Sequence, residues 1–190
     1  MDDLDELLIT ADRLIHGSIE PEPAVAVLRR AGANLGLSMV TAALGEGMVL
    51  LHAPDGDAIL RRLKRSPYEL AHFLRDEYGN SRPAFNELVR TARALLDGQI
   101  EPARACLSVW TIARTLSISY LEKELWAAAD DLGDCTIPDE SRALFADDLL
   151  SRKDRELEQI ADSYKTIIES VCRWIVDQYS HLRFESAEDS

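Results

Sequence analysis

Residues 5–21, DELLITADRLIHGSIEP, return as residues 86–102, NELVRTARALLDGQIEP, with nine of seventeen positions identical at an offset of 81. The matches pair Glu6 with Glu87, Thr10 with Thr91, Gly17 with Gly98, and Ile19-Glu20-Pro21 with Ile100-Glu101-Pro102. A shift of two residues then aligns 23–28 with 102–107, relating 5–28 to 86–107 as one internal duplication. Two copies are too few for a solenoid, which stacks three or more units. They predict two related helical hairpins packed face to face. The shared corner has a physical logic. Glycine lets a helix end at positive φ, isoleucine drops between the helices, and proline forces the preceding glutamate into extended backbone. Glu20 and Glu101 then stand at helix starts, where the dipole favours a negative charge.

The rest of the chain has the same helical period. Leu4, Leu7, Leu8, Ala11, Leu14 and Ile15 recur three and four apart, the spacing of a helix with one buried face. After Gly17 a second helix is predicted over about 23–31, broken further on by Gly32, Gly36, Gly45 and Gly47. A short basic helix is predicted at 57–65 and another from Pro67, with Ser66 as side-chain cap and Glu69 as its reciprocal partner. Further helices start near Pro83 and Pro102, then run over about 117–132 and 141–145. The last is a long rod from Asp147 to about Leu182, some 50 Å if unbroken. No segment alternates apolar and polar residues as a strand does. The expectation is an all-α bundle of about seven to eight helices: one domain over 1–182 with a flexible acidic tail at 183–190.

Acidic residues outnumber basic ones 34 to 21, a net charge of -13 that repels phosphate backbones and anionic lipid and argues against nucleic acid as a partner. The opening Met1-Asp2-Asp3-Leu4-Asp5-Glu6 is unlike a secretory leader, and no stretch is long and apolar enough to span a membrane, so a cytoplasmic protein is expected. Three widely spaced cysteines form no zinc or redox motif. Cys106 and Cys172 fall in apolar helical stretches, whereas Cys135, in a loop after Gly133, is the one expected at the surface.

Candidate chemistry is sparse. Glu69 and His72 have the Glu-x-x-His spacing of helical di-iron sites, with Asp76 a turn further on, yet His16, His52 and His181 lack a matching glutamate. Gly45-Glu46-Gly47 has no third glycine and no preceding strand, and no nucleophile elbow or phosphate loop occurs. Arg61, Arg62, Lys64 and Arg65 make a basic cluster read as a solvated face. The sharpest feature is acidic: residues 122–148 hold nine carboxylates against Lys123 and Arg142, a formal charge of -7 in 27 residues.

The second half resembles a loose group of small bacterial all-helical proteins of the toxin-immunity type. The likeness rests on the Leu95-Leu96-Asp97-Gly98-Gln99-Ile100-Glu101 corner with Arg104, on Arg152-Lys153-Asp154-Arg155-Glu156, and on Val171-Cys172-Arg173; Pro102 departs from it. The resemblance implies a non-catalytic protein, with no cofactor, that neutralises a basic toxin or effector. The acidic stretch supplies the partner-binding candidates: Asp130, Asp131, Asp134, Asp139, Glu140, Asp147 and Asp148, with Trp126 or Phe145 as apolar anchor. Two other readings stand beside it: a metal-binding protein or enzyme using Glu69, His72 and the repeat glutamates, and a homodimeric module joined through the last helix.

Overall fold

The computed structural model describes residues 1–44, 66–137 and 139–182, with backbone alone at 139 and 140. The Gly45-Glu46-Gly47 match, the basic helix at 57–65 and the tail at 183–190 lie outside the described residues. Within them the chain is helical: α1 (Asp3–Ile15), α2 (Pro21–Asn34), α3 (Ser38–Ala43), α4 (Pro67–Tyr78), α5 (Arg82–Leu96), α6 (Pro102–Thr115), α7 (Ser119–Cys135), α8 (Asp139–Arg142) and α9 (Asp147–Tyr179). Leu37 and Ile118 form an isolated antiparallel bridge.

The duplication runs much further than the sequence match, and it needs no two-residue shift. Pro21 and Pro102 each open a 14-residue helix, so the second helix begins at Pro21 rather than Pro23 and continues to Asn34. Gly32 does not break it. A Cβ on Gly32 would sit 2.5 Å from Val40 Cγ1, so the glycine serves the close approach of α3 to α2. Both copies end their helices alike. The Ser18 amide donates to the Arg13 carbonyl and Gln99 to Ala94. Leu37 donates likewise to Gly32, and Ile118 to Ala113. Each is the six-to-one bond that caps a helix when the next residue is left-handed. Those residues are Gly17, Gly98, Gly36 and, in place of a fourth glycine, Ser117 at φ 53.

Residues 70–78, LAHFLRDEY, correspond in the same way to 171–179, VCRWIVDQY, now at an offset of 101. Leu70, Ala71, Leu74 and Tyr78 are buried, as are Val171, Cys172, Ile175 and Tyr179. Phe73 meets Tyr78 edge-on and Trp174 meets Tyr179 in the same way, at 6.4 and 5.7 Å between ring centres. Each copy is therefore a unit whose first helix packs on its second and on its last: α1 on α2 and α4, α5 on α6 and α9.

The units meet about a pseudo-twofold axis. Leu37 bridges Ile118, its own repeat equivalent, which requires the axis to pass between them. Ser38 sends both its amide and its hydroxyl to the Ser117 carbonyl, at 3.3 and 2.8 Å. One hydrophobic core crosses the axis, from Leu4, Leu7 and Leu28 through Phe85 and Leu88 to Ile168 and Ile175.

Two local expectations are corrected. Ser66 makes no side-chain cap bond to α4. The capping box belongs to α1, where Asp2 accepts from the Asp5 amide at 2.9 Å and Asp5 from the Asp2 amide. Cys135 is not at the surface. Helix α7 runs through Gly133 and brings Cys135 onto the buried face, one turn after Leu132, leaving it 7% exposed.

Candidate partner-binding surface

The acidic stretch occupies α7, α8 and the start of α9. Apolar residues Leu121, Leu125, Ala128, Ala129 and Leu132 turn one side of α7 inward. That leaves Trp126, Asp130, Asp131 and Asp134 exposed, Trp126 at 55%. Trp126, Asp130 and Asp134 follow one another at four-residue intervals and so lie along one flank of the helix. Asp131 is engaged: it accepts the Tyr164 hydroxyl at 2.7 Å, a bond that holds the phenol's pKa above its ordinary value. Asp139 and Glu140 fall on α8, and their side chains lie outside the described residues.

Helices α7 and α9 are antiparallel, and three contacts fix their register. The Tyr120 and Trp174 rings stand 4.6 Å apart at one end, Asp131 bonds Tyr164 midway, and Cys135 has Lys153 and Glu156 beside it at the other. At 1.5 Å per residue, Asp147 lies about 25 Å from the Tyr164 level in one direction and Trp126 about 7 Å in the other. The two expected anchors are thus about 30 Å apart along the bundle. Trp126 sits on the flank, while Phe145 is at the tip with Asp147 and Asp148.

At that tip, Arg142 donates both ends of its guanidinium to Asp154, at 3.1 and 2.7 Å, folding α8 back along α9. The same bonds hold the Asp154 carboxyl below its ordinary pKa. Between the two helices the chain turns outward through Leu144 and Phe145, 83% and 41% exposed. Asp147 and Asp148 follow, exposed in the first turn of α9, where the dipole stabilises carboxylates. Leu144 is the residue that sequence reasoning missed. Its signal was the apolar run Ala143-Leu144-Phe145 between two charged helices, off the three-and-four stripe. Arg152, Lys153, Arg155, Glu156 and Gln159 line an open groove of about 560 Å³ on α9, in which Lys153 pairs with Glu156 at 3.1 Å.

The metal-site candidates do not converge. His72 is exposed on α4, and Glu20 and Glu101 are exposed caps of α2 and α6. Among the described residues no group of three or more His, Cys, Asp or Glu is placed to hold a metal ion. Nor is any described helix long and apolar enough to cross a membrane. Against protein-family models, curated proteins and solved structures, the chain has no match.

Proposed function

We propose that this chain is a cytoplasmic, non-catalytic binding protein of the toxin-immunity type, which occludes a basic toxin or effector with its acidic edge. The observation that carries the reading is the corner at the tip. Leu144, 83% exposed, stands with Phe145 between helices and beside Asp147 and Asp148, an apolar anchor set among carboxylates. Charge of this kind speeds encounter with a cationic partner and disfavours acidic ones, whereas the desolvated apolar side chains set how slowly the complex parts. An edge about 30 Å long, from Trp126 to Phe145, is the width of a standard protein interface.

The test is titration of a purified basic toxin with the chain. The expected complex weakens at least tenfold between about 50 and 300 mM salt, and again on reversal of Asp130, Asp147 and Asp148 to lysine. A complex indifferent both to salt and to those reversals would overturn the reading.

A further inference from the structure

Asp148, Arg152, Arg155 and Gln159 recur three and four apart at the start of α9, so they share one face of the helix, and all four are exposed. The neighbouring helices meet α9 elsewhere: α7 at Lys153 and Glu156, beside Cys135, and α8 at Asp154, through Arg142. From 147 to 160 the helix buries no residue, the first being Ala161. Among the described residues, Asp147, Asp148, Arg152 and Arg155 have no ion-pair partner within the chain.

That face is self-complementary. A twofold axis crossing α9 between Ser151 and Arg152 lays two such faces antiparallel. It puts Asp148 of each copy opposite Arg155 of the other, both about 5 Å from the axis along the helix. Leu144 and Phe145, just ahead of α9, then come level with Gln159 of the other copy, at the far end of the open groove that Arg152, Arg155 and Gln159 help to line. The stems of the two arginines give the groove an apolar floor, and their guanidiniums suit the face of a phenyl ring.

From this complementarity we infer that the start of α9 is a homodimer interface, in which a second copy of the chain lies antiparallel and seats its Leu144–Phe145 corner in the groove. The inference does not rest on the toxin reading; where both hold, the second copy and the toxin compete for the corner. Two helix starts about 20 Å long make a contact at the small end of protein interfaces, so the dimer is expected to be weak and to part on dilution.

Sedimentation equilibrium of the full chain, over about 5–200 μM at about 50 mM salt, tests it. The average mass is expected to rise with concentration from 21.2 kDa toward twice that value. Asp148→Arg and Arg155→Asp each set like charges opposite one another, and each is expected to weaken the dimer at least about tenfold. Leu144→Ser should weaken it at least about threefold by emptying the groove, whereas Trp126→Ala, on the flank, should leave it unchanged. All four positions are exposed, so the fold is expected to survive in each variant. Mixed in equal amounts, the two charge variants regain both ion pairs, and their mixed dimer is expected within about threefold of the original strength. A monomer at every concentration, or a dimer indifferent to the single reversals, would overturn the interface. Single reversals that weaken the dimer without recovery on mixing would overturn the antiparallel pairing of Asp148 with Arg155.

Discussion

The Tyr179 hydroxyl donates to the Leu35 carbonyl at 3.0 Å, and across the pseudo-axis the Tyr78 hydroxyl donates to the Leu116 carbonyl at 3.3 Å. Leu35 and Leu116 are repeat equivalents, each the C-cap of its unit's second helix. Each unit's last helix therefore closes a helix end of the other, with both phenols buried and both phenol pKa values raised by that burial.

Replacing either tyrosine by phenylalanine leaves a buried carbonyl without its donor and is expected to cost about 1–3 kcal/mol. Because the bonds join the units, Tyr78→Phe and Tyr179→Phe should both lower the denaturant midpoint with little change in its slope. A loss confined to one of them would break the equivalence.

Gly36 and Ser117 hold the same left-handed cap, at φ +67 and 53. Gly36→Ala is expected to cost about 1–2 kcal/mol, since its Cβ is strained there and lies 3.4 Å from both Ile118 and the Tyr179 hydroxyl. Ser117→Gly relieves a similar strain but removes a hydroxyl that bonds Tyr78, so stability should change by less than about 1 kcal/mol. Equilibrium unfolding of the two variants side by side checks the order.

Gly32→Ala drives a methyl into Val40, for an expected loss of about 1–3 kcal/mol. Val40→Ala makes room, so the double variant should lose less than the sum of the two single losses. Strict additivity in that cycle would mean that the contact does not set the distance between α2 and α3.

Burial pushes the Cys106 thiol up to about 12, with Cys172 adding to it, and burial does the same for Cys172. In the unfolded chain a thiol ionises near 9. A group whose pKa is raised by folding stabilises fully below its unfolded value, and the contribution is lost as pH climbs toward the folded one. Stability should therefore fall from pH 9 toward 12. Folding raises the Cys135 thiol as well, so it is in the triple variant Cys106→Ala, Cys135→Ala, Cys172→Ala that the onset should move up to about 10, where the unfolded tyrosines begin to ionise. Urea titrations at stepped pH measure the shift.

Periodicity was enough to make the chain all-helical, because a stripe at three- and four-residue spacing can be buried only by a helix. Gly-x-Ile-Glu-Pro was equally legible: Glu20 and Glu101 are extended at ψ 149 and 147 ahead of their prolines, a restriction local to each dipeptide. Only packing revealed that, among the described residues, the repeat extends beyond the first hairpin of each copy to its last helix. Tyr78 and Tyr179 are 101 residues apart among unlike neighbours, and a buried position needs the right volume rather than the same residue, so Leu70 can answer to Val171. The carboxylates were countable in the chain, but their distribution was not. Helix register puts Trp126 and Phe145 about 30 Å apart, since α9 starts about two turns beyond the level where α7 ends and Trp126 lies between two and three turns back along α7.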